Sequence, residues 1–431
     1  MIGDRAPQRT FFPELESLRG LAAISVVILH IVIFLMFLSP DGNAPRTIQQ
    51  VGPATYLFGL FGMTLFNGRS AVTLFFVLSG FVMGVNMDTS RQLDVRTYVA
   101  FLIRRFFRLM PAIWVAIFFA LILDYAIVGR LPTPRLMLDL LILKEINVGP
   151  MWTMVLEIAA SLFYPAMLFF TRKMSIGIQL AGLFIAGCVA HFYLMPFHYL
   201  YNFNFPLYQF YLGLLVPTLG RAIISCLTPK LAAFLVLAMF VAYCSPAPIT
   251  ALIELGPDVV RADLGRHVYG TAALCNRWMD VVVPFASFYV IAWIIYGKHR
   301  LVEPALTSRS CMFLGRTSFS VYLLHGPITN AVQALLISSH VASPWIRLAC
   351  GLALVIPTTL VLSYLSDRFV ERPSIRAGKW WANLVARSPD LWAWLPPRRA
   401  PLIEGILPPA VGRSLNSAAI EQLQPRQNNT S

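Results

Sequence analysis

ELESLRGLAAISVVILH, residues 14–30, governs the reading of the whole chain. Between Arg19 and His30 no residue is charged, and the apolar run continues beyond the histidine to Leu38. A helix over 18–38 is long enough to cross about 30 Å of hydrocarbon at about 1.5 Å per residue. Its midpoint carries an imidazole, a group the bilayer interior tolerates only at a cost. Arg19 and His30 lie eleven positions apart, about 1,100° of helical rotation, or three turns plus roughly 20°. Both therefore belong to one helix face, with the imidazole about 16 Å beyond the guanidinium.

Working outward, the same kind of block recurs. The chain has 431 residues, 57% hydrophobic and 13% charged, against roughly 25% charged in an ordinary soluble domain. Ten apolar spans are expected, near 18–38, 70–87, 109–128, 152–171, 176–195, 205–222, 230–247, 279–297, 317–338 and 345–367. The fold class is an all-α integral membrane protein. Of the 34 Lys and Arg residues, 25 fall on the side that carries both termini in this arrangement and 9 on the other, so the positive-inside bias puts both termini in the cytoplasm. The net charge of +14 is thus read as topology and contact with the bilayer surface, with no nucleic-acid partner. No small-residue cleavage site follows the first span, which reads as retained.

One membrane domain, residues 1–375, is expected, followed at 376–431 by a Trp-rich, basic interfacial segment and a polar, disordered cytoplasmic tail ending QPRQNNTS. The interfacial reading rests on Trp380, Trp381, Trp392 and Trp394 beside Lys379, Arg398 and Arg399, the mixture the headgroup layer favours. The outward loops 39–69 and 248–278 are candidates to cover an acceptor site. Cys188, Cys226, Cys244, Cys275, Cys311 and Cys350 are scattered without a CxxC pair and read as structural thiols; no metal site is expected.

Few ionisable groups enter the spans. Besides His30 they are Glu157 and His325, with Asp124 and His191 nearer the outward ends. Neutral imidazole is a base suited to deprotonating an alcohol near neutral pH, although a lone intramembrane histidine also serves helix packing or a proton relay. Arg105 and Arg108, at i and i+3 within RRFFRLMP (104–111), share a helical face and match a phosphate or diphosphate; arginine at that boundary is also ordinary topology signal. Ser318, Tyr322 and His325 form a stripe along the ninth span, either a polar packing seam or a supporting part of a site.

Together these segments resemble the acyltransferase-3 family of bacterial membrane proteins, which modify extracytoplasmic glycans and related acceptors. The resemblance rests on ELESLRGLAAISVVILH (14–30), AVTLFFVLSGFVM (71–83), RRFFRLMP (104–111), GPMWTMVLEIAASLFYP (149–165), LGRTSFSVYLLHGPI (314–328) and FVERP (369–373), in that order. It implies a multi-pass protein of the bacterial inner membrane with no permanently bound cofactor. It also implies acyl-CoA as donor, acetyl-CoA in the present reading, and a hydroxyl of a cell-surface or exported carbohydrate as acceptor. Arg19 and His30 match the family's functional Arg and His, and Arg105 and Arg108 its arginine pair associated with the CoA donor. Thr73 stands where the family often has an acidic residue, so a carboxylate partner for His30 would have to be Glu157 or be absent.

On this reading His30 is the catalytic base or a transient acyl carrier, Arg19 positions the donor, and Glu157, Ser318, Tyr322 and His325 are possible supporting groups. A proton-coupled transporter or flippase for a glycan or lipid-linked substrate would also place His, Glu and Arg inside a membrane. That class calls for inverted repeats or broken helices, which the sequence does not display.

Overall fold

A computed structural model of the protein describes residues 12–37, 51–86, 94–129, 133–141, 152–175, 177–179, 181–182, 198–244, 282–297, 302–388 and 391. Among them there is no β-strand. In chain order the helices are α1 (Pro13–Ile31), α2 (Pro53–Leu65), α3 (Gly68–Asn86), α4 (Val95–Val128), α5 (Pro134–Leu141), α6 (Trp152–Lys173) and α7 (His198–Leu215). They continue with α8 (Arg221–Cys226), α9 (Pro229–Cys244), α10 (Val282–Tyr296), α11 (Glu303–Leu306), α12 (Arg309–Ser338), α13 (Pro344–Ser366) and α14 (Arg372–Arg387). Three π-helical turns, Val32–Phe37, Val216–Gly220 and Asp367–Glu371, extend α1, join α7 to α8 and join α13 to α14. The chain divides into two compact units, Met1–Arg387 and Ser388–Ser431.

By length and composition six helical stretches could cross a membrane: Pro13–Met36, Pro53–Val85, Val95–Ile127, Trp152–Thr171, Leu207–Cys226 and Pro344–Arg387. Pro229–Val241 and Val282–Tyr296 are apolar but shorter, both bordering undescribed segments. The span expected at 176–195 lies largely outside the described residues, as do His191, the whole of the 248–278 loop and almost all of the tail. Helix α12 has 30 residues, about 45 Å of helix, and covers the expected ninth span. Its Ser, Thr, His and Gly residues lower its hydropathy because protein, not lipid, surrounds it: Ser318, Ser320, Tyr322, His325 and Thr329 are all buried. Polar side chains are tolerated on a helix segment enclosed by other helices, as α12 is over residues 317–329.

Two sequence boundaries move. RRFFRLMP is an interior part of α4 and not a connector, because Asp94 caps the helix well before it, accepting from the Thr97 amide at 2.6 Å. Part of the expected outward loop 39–69 is α2, which packs against the π turn that follows His30.

The most extensive helix pairing is α1 with α12. They touch where Gly20 meets Gly315 and Leu314, and Gly315 meets the Glu16 carbonyl; a Cβ on either glycine would collide with opposing backbone. Beyond this crossing the helices run in the same direction, for His30 and His325, each ten residues further on, meet again. A second close pair forms where Gly80 of α3 lies against the Phe210 carbonyl of α7 and Gly213 against that of Val77. Such small-residue contacts let backbones approach where no hydrophobic effect drives helices together. Outward-facing Ile122, Leu162, Phe163, Phe169, Phe234 and Leu237 are solvent-exposed apolar side chains of the kind a bilayer covers.

Candidate active site

The α1–α12 pair sets the site's axis. On α1 it carries Arg19 and, further along, His30; on α12 it carries Ser318, Tyr322 and His325. His325 is fully buried and His30 partly buried. The His30 Nδ1 lies 2.9 Å from the Val26 carbonyl oxygen and 3.2 Å from the His325 Nε2, while the His325 Nδ1 lies 3.1 Å from the Val321 carbonyl oxygen. The ring centroids of the pair are 5.0 Å apart. Phe34, brought over by the π turn after His30, stacks on its imidazole at 5.6 Å and 17°; π turns inside helices recur at functional sites. Below His325, Pro327 interrupts the α12 ladder, and the Thr329 hydroxyl donates to the His325 carbonyl at 2.7 Å.

Between Tyr322 and Arg19 lies a small groove of about 30 Å³, lined by neither histidine of the pair. Phe75, Phe76, Met154 and Phe319 make its walls largely apolar, with Arg19, Glu157, Thr153, Ser318 and Tyr322 as its polar points. Tyr322 links groove and histidines: its ring is 5.8 Å from His325 and meets Phe75 edge-on at 5.6 Å, and its hydroxyl accepts from Thr153 at 3.1 Å. Thr153 and Glu157, four residues apart on α6, line the same side of the groove.

At the other end the arginines gather. Arg19 lies in the combined field of Arg108, Glu157, Glu16 and Glu371, and Arg105 in that of Glu157, Arg108 and Arg19. Among the described residues none of the three arginines forms an ion pair with a carboxylate. Arg105 donates to the Ser79 hydroxyl at 3.1 Å and stands over the Phe101 ring at 5.9 Å. Ser79 in turn donates to the Glu157 carboxylate at 2.8 Å. Glu157 is thus committed to Ser79, and the group that faces His30 is a second imidazole, not a carboxylate.

Of the sequence-predicted site residues, Arg19, Glu157, Ser318 and Tyr322 line the groove; His325 adjoins it through Tyr322 with His30 against His325, Arg105 reaches Glu157 through Ser79, and Arg108 lies in the field of Arg19. Asp124 is exposed, remote from them in sequence and burial.

Residues 12–364 match the family model of the acyltransferase-3 acyltransferase domain. The chain belongs to that family. No curated protein and no solved structure matches it. Family membership makes this a membrane acyltransferase, and within the acyltransferase-3 domain the motif segments are the parts that touch: LRG of α1 crosses LGR of α12, and RRFFR of α4 faces the VLE segment of α6 through Ser79.

Several contributors were not singled out from the sequence. Ser79 and Thr153 look like ordinary small polar residues inside apolar runs. Glu371, beyond the matched stretch, is buried by the π turn Asp367–Glu371, where Ser320 of α12 donates to its carboxylate and also contacts the Ser366 hydroxyl at 2.7 Å. The neighbouring Asp367 accepts from Arg372 at 2.5 Å. Glu371 belongs to FVERP, so its motif was visible; its proximity to Arg19 and Arg108 was not. Helix α14 then packs back on α4, Gly378 against Phe107, bracing the turn between Arg105 and Arg108. Among the described residues no group of His, Cys, Asp and Glu has metal-binding geometry, and Cys226, Cys244, Cys311 and Cys350 are free.

Proposed function

We propose that this acyltransferase moves an acetyl group from cytoplasmic acetyl-CoA to a hydroxyl of a cell-surface or exported carbohydrate. What supports the reading is how the site residues connect: Arg19 and Glu157 line a small groove, Arg105 joins Glu157 through Ser79, and Tyr322 of the groove wall packs on His325, which faces the partly buried His30. The phosphates of CoA suit Arg105 and Arg108, as guanidinium binds phosphate in a bidentate fork. The methyl and methylene groups of the pantetheine arm suit Phe75, Phe76 and Phe319, and its two amides and hydroxyl suit Thr153, Ser318 and Tyr322 once the groove opens to admit it. Arg19, at the junction, holds the donor in register. In the bilayer this corresponds to ten crossings of a bacterial inner membrane, with both termini and the arginines on the cytoplasmic side; the carbohydrate acceptor follows from the family resemblance.

The reaction balances without a further reagent. In direct transfer His30 takes the acceptor O–H proton, the oxygen bonds to the thioester carbonyl carbon, the C–S bond breaks, and the imidazolium returns the proton to the departing thiolate. In the two-step form the imidazole nitrogen bonds the carbonyl carbon as the C–S bond breaks and the CoA thiolate leaves; the acceptor oxygen then bonds that carbon as the C–N bond breaks, and its proton passes by way of the freed imidazole to the thiolate. The test is transfer of labelled acetyl from acetyl-CoA to isolated cell-envelope glycan by membranes containing wild type, His30→Ala or Arg105→Ala. Transfer by wild type, lost in His30→Ala and restored to Arg105→Ala by high donor concentration, is expected. Equal transfer by wild type and His30→Ala overturns the assignment, and passage of a sugar or lipid across the membrane without acetylated product replaces it with transport.

A further inference from the structure

The two carbonyl oxygens beside the histidine pair fix where its protons are. A carbonyl oxygen only accepts, so the His325 Nδ1, 3.1 Å from the Val321 carbonyl oxygen, carries its hydrogen, and in the neutral ring Nε2 is then a bare lone pair. The His30 Nδ1 faces the Val26 carbonyl oxygen at 2.9 Å and that lone pair at 3.2 Å. Two acceptors directed at one nitrogen require that nitrogen to be the donor. The remaining nitrogen of His30, Nε2, is left without hydrogen.

We infer that His325 is a positioning residue that holds His30 in the Nδ1–H tautomer and thereby makes His30 Nε2 the atom that takes the acceptor proton or the acyl group. This rests on the catalytic reading of His30 given above. A base whose rear nitrogen is held by a third group is the general device for keeping an imidazole in one tautomer and orientation. Here that group is a neutral imidazole. As positive charge develops on His30, its Nδ1–H becomes a stronger donor, and the His325 lone pair accepts it without bringing a fixed charge into the membrane interior, where a carboxylate would be costly. The immediate surroundings hold His325 firmly: it is fully buried, packed by Tyr322, tied to Val321, and its own carbonyl is held by Thr329.

The test separates hydrogen-bond acceptance from volume. In full-length protein, His325→Gln keeps an acceptor oxygen and His325→Leu fills the space without one. Expected are an unchanged KM for acetyl-CoA in both, kcat close to wild type in His325→Gln, and kcat lower by on the order of 10- to 100-fold in His325→Leu. Carbethoxylation of His30 by diethyl pyrocarbonate, followed by peptide mass, gives a reading independent of turnover: wild type and His325→Gln react alike and His325→Leu more slowly. Should His325→Leu not fold, His325→Met supplies the apolar comparison. With wild-type transfer intact, equal kcat and equal carbethoxylation in the Gln and apolar variants overturn the positioning role. Loss of transfer in none of the His30 and His325 variants overturns instead the catalytic reading of His30 on which it rests.

Discussion

Arg105 and Glu157 are joined through a single hydroxyl: Ser79 accepts from the guanidinium at 3.1 Å and donates to the carboxylate at 2.8 Å. Three helices, α3, α4 and α6, thereby fix Arg105 beside Glu157, which lines the groove. Ser79→Ala removes both bonds at once. A hydrogen bond to a charged group is worth about 1.5–3 kcal/mol, and because Arg105 retains its charge the expected loss is near the low end, roughly a tenfold rise in KM for acetyl-CoA with kcat little changed. Steady-state kinetics in membranes or detergent checks it, and a fall in kcat at constant KM would move Ser79 from donor binding to the chemistry.

Arg108 and Arg105 are proposed to hold the phosphates of the donor, which would make their effect dependent on the donor's charge. Arg108→Ala is expected to raise KM about tenfold or more for acetyl-CoA and clearly less for acetyl-dephospho-CoA, since a lost charge-assisted contact matters only while its phosphate is present. The comparison of the two donors on the two proteins measures the coupling directly. Identical ratios would detach Arg108 from the 3′-phosphate.

Glu371 opposes the arginines from the α12 side. Glu371→Gln keeps an oxygen for Ser320 but removes a negative charge from the field of Arg108 and Arg19. Donor KM should fall by about two- to fivefold, and because Glu371 is buried the effect should largely persist as salt is added. A salt series of initial rates tests this, and an unchanged KM would confine Glu371 to bracing the π turn.

The crossing of α1 and α12 leaves no room for a side chain. Gly20→Ala and Gly315→Ala each drive a methyl group into opposing backbone, where overpacking costs about 1–3 kcal/mol. Both variants should lose thermal stability and transfer activity together, as read by melting in detergent beside the acetyl-transfer assay. Full activity with a lowered Tm would mean that the helices separate without disturbing the histidine pair.

Much of this site was legible in the linear chain, for reasons that differ residue by residue. Arg19 and His30 declared themselves because a bilayer makes any polar group in an apolar run conspicuous, and helical geometry put them on one face. Ser318, Tyr322 and His325 were readable as a stripe for the same reason. What periodicity lacked was the partner of each face. His30 and His325 are 295 residues apart, and nothing local to either names the other. Ser79 and Thr153 are too small and too common to stand out until an arginine, a carboxylate and a tyrosine arrive beside them. The extension of α4 through RRFFRLMP was missed because charge was read as the edge of the membrane, although charge does not end a helix. Hydropathy also undervalues α12 as a span, since its polar residues face other helices.

The parallel pairing of α1 with α12 also has a bearing on how the protein is made. His30 leaves the ribosome 295 residues before its partner, which at about 5–20 residues per second is a delay on the order of 15–60 s. Throughout that interval the first helix can be in the bilayer with its imidazole but without the neighbour that orients it. Chains released before α12 would therefore be inserted yet inert, and acyl transfer would begin only once α12 had been synthesised and had joined α1.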